Sequence, residues 1–305
     1  MMNTYNFYQQ KSVLVTGGAG FIGSHLVEAL VHAGANVSVL DNLSTGTLDN
    51  LNAVLNHVTF IQGDITSFSS CLAATQNQQI VFHCAAMISV SESMNRPRNC
   101  MKTNVQGTAN LLEAARINRI ERVVFSSSAA IYGPVDGACS ETLPQKPQSM
   151  YGFSKQLGEQ LCKQYCEYFN LRSICLRYFN VYGNRQNPTS PYAGVRAIFD
   201  HAFKNNLPIT IYGDGNQTRD FISVKDVVKA NLSLAQLSSN ELNGQAVNIA
   251  TGTSNSLNNL LVEFKKNHPD YSQTITYQPA RAGDIKYSKA LIEKYRKLRE
   301  FIEES

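Results

Sequence analysis

The sequence predicts an α/β protein, a doubly wound parallel sheet that carries a second, smaller α/β lobe. Three observations lead there. A short apolar run, Ser12-Val13-Leu14-Val15-Thr16, runs straight into the glycine turn Gly17-Gly18-Ala19-Gly20-Phe21-Ile22-Gly23, and apolar residues at Ile22, Leu26, Ala29 and Leu30 then recur at helical spacing. Strand-like and helix-like runs go on alternating along the chain, which in one sheet means parallel strands joined by right-handed crossovers. The polar residues of chemical interest follow the strands, where ligands of such sheets bind.

Composition narrows the function classes. At 305 residues the chain can bury a large core and hold one large or two interlocked domains. The net charge of +4 is small and no dense Lys/Arg run occurs, so nucleic acid is not expected as a partner. No apolar run is long enough to span a bilayer, and residues 1–10 lack a basic-then-apolar leader pattern, so a cytoplasmic protein without membrane attachment is expected. The seven cysteines lie scattered, as suits reduced thiols. Cys162 and Cys166 share a predicted helix, but no histidine or second cysteine pair stands nearby, and no metal is expected.

Taken in order, the glycine turn lets the backbone bend sharply and approach a pyrophosphate closely, and the helix after it offers free N–H groups to that anion. Residues 36–40 form the next strand and end at Asp41, a little over twenty residues past the first glycine, where a carboxylate can take both hydroxyls of an adenosine ribose. The plainer reading makes Asp41 only a turn residue opening Asp41-Asn42-Leu43-Ser44-Thr45-Gly46, but the whole βαβ context favours the ribose. No Arg follows it and it would repel a 2′-phosphate, so NAD is expected rather than NADP. Residues 58–61 are a strand ending at Gly63-Asp64-Ile65, and 80–83 another ending at Cys84-Ala85-Ala86. Asp64 could accept from an adenine amino group, and Ala85 and Ala86 would let a dinucleotide lie close. Each alone is more often a turn or packing residue; together they ring one crevice. Residues 99–117 and 151–169 are long helices, each followed by a strand, at 122–125 and 172–176.

Beyond Leu176 the texture changes. Residues 184–191 read as a loop, 195–205 as a helix, and 208–212 as a strand closed by Gly213-Asp214-Gly215. Residues 227–236 and 246–249 return a helix and a strand to the main sheet. An amphipathic helix (256–267), a strand (274–277) and a charged helix (292–304) follow. The expected division is 1–177 with about 226–252 as the dinucleotide-binding domain, and about 178–225 with 253–305 as the substrate-binding lobe.

Tyr151-Gly152-Phe153-Ser154-Lys155 sets a phenol and an ammonium on one helix face. An ammonium near a phenol lowers the phenol's pKa from about 10 and makes it a usable general base and acid. Ser126-Ser127-Ser128 ends the preceding strand and opens into the same crevice, so a serine there could hydrogen-bond a substrate hydroxyl. Taken alone, Tyr-x-x-x-Lys is more often a surface pair.

The TGGAGFIG turn, Asp41, SSSAAIYG, YGFSK and LRYFNVYG, in this order between about Lys11 and Lys289, closely resemble the extended short-chain dehydrogenase/reductases. Within them the chain resembles the NAD-dependent epimerase/dehydratase family with its Rossmann domain, and most of all the nucleotide-sugar 4-epimerases. The resemblance implies that Tyr151 takes the proton from the sugar 4-hydroxyl while NAD takes the hydride. Lys155 would hold the nicotinamide ribose, and Ser128, with Ser127 as the next candidate, would bind the same hydroxyl. It also implies cofactor contacts at Gly17, Gly20, Phe21, Ile22, Gly23, Asp41, Asn42, Ser44, Thr45, Gly46, Asp64, Ile65, Ala85, Ala86, Asn104, Ser126 and Tyr178. Contacts to a UDP-sugar are implied at Ser89, Asn180, Val195, Arg219, Arg281, Asp284 and Ser288, and a homodimer is implied through the two long helices. Ala129-Ala130 stand where sugar-nucleotide dehydratases of the family carry an acidic pair. Ser288 aligns with a position that gates pocket size, and its small side chain implies room for an N-acetyl group; a register shifted by one would place Tyr287 there. After Ser288 the chain departs from the family's usual Ala-Asp, reading Lys289-Ala290-Leu291, which implies a trimmed substrate lobe. A UDP-glucuronate epimerase or decarboxylase is the nearest alternative. A non-catalytic NAD-binding protein is a further one, since fold alone does not decide.

Overall fold

Short runs of β-branched and apolar residues build the strands, and a sheet covered on both faces buries them. The computed structural model describes residues 6–187, 193–280 and 285–304. Its strands are β1 (Ser12–Thr16), β2 (Asn36–Asp41), β3 (Val58–Gln62), β4 (Ile80–His83), β5 (Arg122–Ser128), β6 (Ser173–Tyr178), β7 (Val181–Tyr182), β8 (Ile209–Tyr212), β9 (Thr218–Arg219), β10 (Ile222–Ser223), β11 (Asn243–Ile249), β12 (Asn255–Ser256) and β13 (Ile275–Gln278). Its α-helices are α1 (Phe21–His32), α2 (Phe68–Ala74), α3 (Val90–Asn95), α4 (Pro97–Met101), α5 (Gly107–Ile117), α6 (Met150–Phe169), α7 (Val195–Lys204), α8 (Val224–Leu234), α9 (Leu257–Asn267) and α10 (Glu293–Glu304).

Seven strands form one sheet in the order β11-β6-β5-β4-β1-β2-β3, with every neighbouring pair parallel. The fold is the predicted doubly wound α/β sheet. The chain runs outward from β1 to β3 and then returns to β4 on the other side of β1. A crevice therefore opens past the carboxyl ends of β1 and β4. Side chains alternate across the sheet. Val13 and Val15 belong to the core shared with Leu26 and Val27 of α1 and Val227 of α8. Leu14 belongs to the core on the other face, with Leu111 and Leu112 of α5 and Cys162 of α6.

The smaller lobe has its own core, in which Phe199 and Phe203 of α7 meet Ile209 and Ile211 of β8 and Leu260, Leu261 and Phe264 of α9. Strand β13 pairs parallel with β8 beside it. One expectation is corrected. Residues 253–305 do not all lie in that lobe, because Tyr295, Leu298 and Ile302 of α10 pack on the α1/α8 side of the main sheet. Their spacing gives α10 an apolar stripe, and the face of the sheet edge at β11 is where that stripe is buried.

The expected helix at 99–117 is also modified. Between α4 and α5 the residues Lys102–Gln106 form a π-helical turn. Such a turn holds one extra residue and re-aims the side chains within it.

Candidate active site

Gly17 follows β1 with φ +69°, and a Cβ there would lie 2.7 Å from the Ala85 backbone nitrogen. The turn after β1 thus rests directly on the segment after β4, across the point where the strand order reverses. Helix α1 begins with Gly20 as its N-cap, with no side chain capping it and no acidic residue in its first turn. Its leading N–H groups therefore have no side-chain acceptor, which suits an anion. Asp41 is buried at the end of β2, where its Oδ2 accepts from Ala19 N at 2.9 Å and its Oδ1 from Leu43 N at 2.8 Å. A carboxylate has about four acceptor positions, so both oxygens keep capacity for a ribose diol. Asn42, Ser44 and Thr45 are exposed on the loop that follows, and Gly46 is pressed against the Ala19 carbonyl, where a Cβ would come within 2.7 Å. Asp64 accepts from Asn42 Nδ2 at 2.9 Å and Thr66 N at 2.8 Å. Partial burial pushes its carboxyl up, but those hydrogen bonds outweigh it and hold Asp64 below the usual carboxylate range. Ile65 is buried and packs against Gly107. The glycine cradle, the uncapped helix end and Asp41 fit NAD.

The segment after β4 is held from beneath by a hydrogen-bonded chain whose directions are all fixed. Thr108 Oγ1 donates to the Asn104 carbonyl at 2.6 Å, so it must accept from His83 Nε2–H, 3.0 Å away. His83 Nδ1 is then bare and accepts from Thr16 Oγ1 at 2.8 Å, and Thr16 Oγ1 accepts from Ala85 N at 3.3 Å. Asn104, placed by the π turn, completes the clamp. Its Oδ1 accepts from Met87 N at 2.7 Å and its Nδ2 donates to Met87 O and to Ser154 Oγ, each at 2.9 Å. Expected as a cofactor contact, Asn104 spends both amide hydrogens in holding the floor of the crevice.

Burial, with a smaller push from the Lys155 charge, lowers the His83 imidazole to about 3. Below its ordinary pKa of about 6.5 the unfolded chain takes up a proton that the folded chain refuses, so stability falls as pH drops towards the folded value. At pH 5 this one residue accounts for about 2 kcal/mol. Melting curves should show a smaller loss between pH 7.5 and pH 5 in His83→Asn than in the parent; equal losses would clear His83 of the acid response.

Ser126, Ser127 and Ser128 alternate at the end of β5. Ser127 points away from the crevice into the core, where its Oγ donates to Glu159 Oε1 at 2.5 Å. Ser128 therefore remains the serine at the crevice. Its Oγ accepts from Ala130 N at 3.2 Å and stands beside the Tyr151 phenol, whose pKa it lowers. Ser149 caps α6 through Gly152 N, and Tyr151 and Lys155 stand a turn apart on that helix. Lys155 Nζ donates to the Ser126 carbonyl at 2.7 Å and lies 6.0 Å from the centre of the Tyr151 ring. Burial draws its ammonium down to about 8, against smaller opposing influences of Cys84, Cys100, Cys162 and Glu159. Burial also raises the Tyr151 phenol, which the Ser128 hydroxyl partly offsets. The expected lowering of the phenol by Lys155 is not seen: burial dominates, and Lys155 is not among the influences that set the Tyr151 phenol. Ser126 Oγ donates to Cys84 Sγ at 3.3 Å and contacts the Tyr178 hydroxyl, which donates to Asn231 Oδ1 at 2.9 Å. Contacts thus run unbroken from Lys155 through Ser126 and Cys84 to Ala85 and the glycine turn.

On the lobe side, Asn180 is exposed and its Nδ2 donates to the Asp220 carbonyl at 3.0 Å. Arg219 lines a cleft of about 160 Å³ with Tyr182, Arg196, Phe221, Thr251, Thr253 and Asn255. Thr218, next to Arg219, donates to the Lys286 carbonyl at 2.9 Å and accepts from Ser288 N at 3.1 Å. That pairing leaves Ser288 half-buried and turns Tyr287 outward, 47% exposed. Val195 starts α7 at the edge of the small core. Ser89 is buried and caps α3 by accepting from Glu92 N at 3.0 Å. Arg281 and Asp284 lie outside the described residues. A larger groove of about 1100 Å³ lies away from the crevice, beside α6 and β11, and none of the expected site residues lines it.

The family model for the NAD dependent epimerase/dehydratase family matches residues 13–250. The chain belongs to the NAD-dependent epimerase/dehydratase family. It is 42% identical over 281 residues to a putative UDP-glucose 4-epimerase of Methanocaldococcus jannaschii, covering 90% of this chain and 87% of that one. Among solved structures it superposes on the UDP-N-acetylglucosamine 4-epimerase of Methanobrevibacter ruminantium, in complex with UDP-N-acetylmuramic acid, with TM-score 0.87 and 35% identity over 97% of this chain and 98% of that one. The UDP-glucose 4-epimerase of Thermotoga maritima with UDP-glucose gives TM-score 0.88 and 34% identity over 96% and 97%. NAD is the cofactor that defines this epimerase/dehydratase family, and the crevice fits it.

Three residues of this family member escaped the sequence reading. Ser93 Oγ accepts from Tyr151 N at 3.0 Å and so fixes the start of α6. Arg196 stacks 4.3 Å over Tyr182 and pairs with Glu263 at 2.7 Å, beside the cleft. Glu159 is buried one turn beyond Lys155. Of the three only Glu159 had a signal, its i+4 spacing from Lys155.

Proposed function

We propose that this protein is a nucleotide-sugar 4-epimerase that interconverts the gluco and galacto forms of a UDP-hexose, with UDP-N-acetylglucosamine and UDP-N-acetylgalactosamine as the pair. The observation that carries the reading is the meeting of the Ser128 hydroxyl, the Tyr151 phenol and the Lys155 ammonium beside the dinucleotide crevice. Bound NAD supplies the hydride acceptor and donor. Tyr151 removes the 4-hydroxyl proton as that carbon becomes a ketone, and returns it once the sugar has turned over. Ser128 holds the same oxygen. Lys155, charged below about pH 8, favours the phenolate. Gly17, Gly20, Gly23 and the first turn of α1 take the diphosphate of the cofactor, and Asp41 takes its adenosine ribose. Arg219 and Arg281 take the UDP diphosphate, for which a planar guanidinium fork is suited, and Asn180 touches the sugar nucleotide. Ala129-Ala130 after Ser128 offer no acid for elimination, which supports epimerisation over dehydration.

The choice of an N-acetyl sugar rests on Ser288, half-buried next to β9, with the bulky Tyr287 turned outward. In Ser288→Tyr, turnover of UDP-N-acetylglucosamine should fall more than about tenfold while that of UDP-glucose persists. Unchanged turnover of the acetylated sugar would count against the gate. The parent reaction is tested by proton NMR time courses with UDP-N-acetylglucosamine and with UDP-glucose, with and without added NAD. A galacto anomeric signal growing from the acetylated sugar is the expected result. Growth from UDP-glucose alone would refute the pocket assignment, and silence from both the activity.

A homodimer through α5 and α6 is part of the same reading. On these helices Leu112, Leu161 and Tyr165 pack inward, whereas Ile117, Phe153, Tyr168 and Phe169 remain exposed. A clean monomer in sedimentation at micromolar concentration would remove the dimer. The reading places the enzyme with the nucleotide-sugar pool of the cytoplasm. Among the described residues no helix is long and apolar enough to cross a membrane.

A further inference from the structure

Glu159 continues the line of Tyr151 and Lys155 along α6, eight residues beyond the first and four beyond the second, but points into the core rather than the crevice. Its Oε1 accepts from Ser127 Oγ at 2.5 Å and Arg177 Nε at 2.9 Å. Its Oε2 accepts from Arg177 Nη2 at 2.7 Å and Gln145 Nε2 at 3.0 Å. Ser127 is the neighbour of Ser128 and sits opposite Arg177 in the β5–β6 register. One carboxylate thus joins the helix that carries the phenol and ammonium to the strand end that carries the serine. Arg177 extends the tie, donating to Tyr132 Oη at 2.8 Å, and Tyr132 donates to Asn248 Oδ1 at 2.6 Å. Apolar packing alone lets a helix slide or rotate on a sheet; four directed, charge-assisted bonds fix both its height and its rotation.

We propose that Glu159 is a positioning residue of this site, setting the register between the Tyr151–Lys155 helix and the Ser128 strand end. Its role in turnover rests on the reading of those three residues given above.

The charge of Glu159 supports the same role. Lys155 is faced by Tyr151, Cys162 and Glu159 from α6, by His83 and Cys84 from the end of β4, and by Cys100 from α4. Within this set the Glu159 carboxylate favours the charged ammonium, against burial.

The test is Glu159→Gln in the full-length protein. We expect kcat for the UDP-sugar to fall on the order of tenfold to a hundredfold, with KM little changed, because the reacting groups are misplaced rather than removed. The alkaline limb of the kcat profile should move to lower pH. In protein labelled with [15N]lysine, the Lys155 Nζ resonance, assigned by its loss in Lys155→Met, should titrate at lower pH in the variant. That measurement needs no sugar. A parent protein inactive on every UDP-sugar would sink the proposed activity and leave this test standing. Ser127→Ala keeps the ion pair and should fold even if Glu159→Gln does not; it too should lower kcat with little change in KM. Unaltered kcat, pH profile and Lys155 titration in folded Glu159→Gln, or unaltered kcat in Ser127→Ala, would overturn the proposal.

Discussion

Tyr151→Phe should retain NAD and lose turnover by a factor of about 10² to 10⁴, the usual contribution of a positioned acid–base group. The substitution removes one oxygen and leaves the ring where it packs. It also leaves intact what locates the ring, the Tyr151 N bond to Ser93 and the Ser149 cap on α6. Melting temperature and NAD affinity should therefore stay near the parent values. The phenol is raised by burial, so the group able to take a proton is scarce until a neighbouring positive charge favours phenolate. The Lys155 ammonium, drawn to about 8, supplies such a charge only below that pH. Equal turnover in Tyr151→Phe, measured by the NMR time course, would remove Tyr151 from the chemistry.

Arg177→Ala should be the most destabilising single change, by about 3–5 kcal/mol, or on the order of 10 °C in melting temperature. Arg177 and Glu159 are both nearly closed to solvent, with side-chain exposures of 3% and 7%. Burial alone would lower the guanidinium pKa, yet the bonds to Glu159 and Tyr132 hold it raised. Deleting the arginine leaves a buried carboxylate with Ser127 and Gln145 as its remaining hydrogen-bond donors. Deleting both charges, as Arg177→Met with Glu159→Leu, should recover most of the loss, because no buried charge is then left alone. A single variant that melts like the parent would show that the pair adds nothing to stability.

Much of this arrangement could be read from residue order. The strands β1 to β6 announce themselves as short apolar runs, and the glycine turn fixes which of them meets the cofactor. The π turn could not be read, because one extra residue in a helix leaves the apolar spacing on either side intact. The Glu159–Arg177 pair was hidden for a different reason: a charged residue at a core position looks the same in sequence as one at the surface until its partner is located. Strands β7, β9, β10 and β12 are two residues each, too short for alternation to show. The placing of α10 on the large domain escaped notice because an amphipathic stripe says that a face is buried and not against what. The outward turn of Tyr287 depends on its pairing with Thr218, a contact 69 positions away that local pattern does not carry.

The sheet order has a consequence for synthesis. Strand β11 lies against β6, but the chain between them builds β7, β8, α7 and α8. Until residue 249 has emerged from the ribosome, β6 is a bare edge with Ile174 and Leu176 ready to pair with any strand that arrives. Pairings this distant in sequence are slow to close. The nascent protein thus spends its longest vulnerable interval with the glycine turn, the serine strand end and the Tyr151 helix already made and the closing strand still to come.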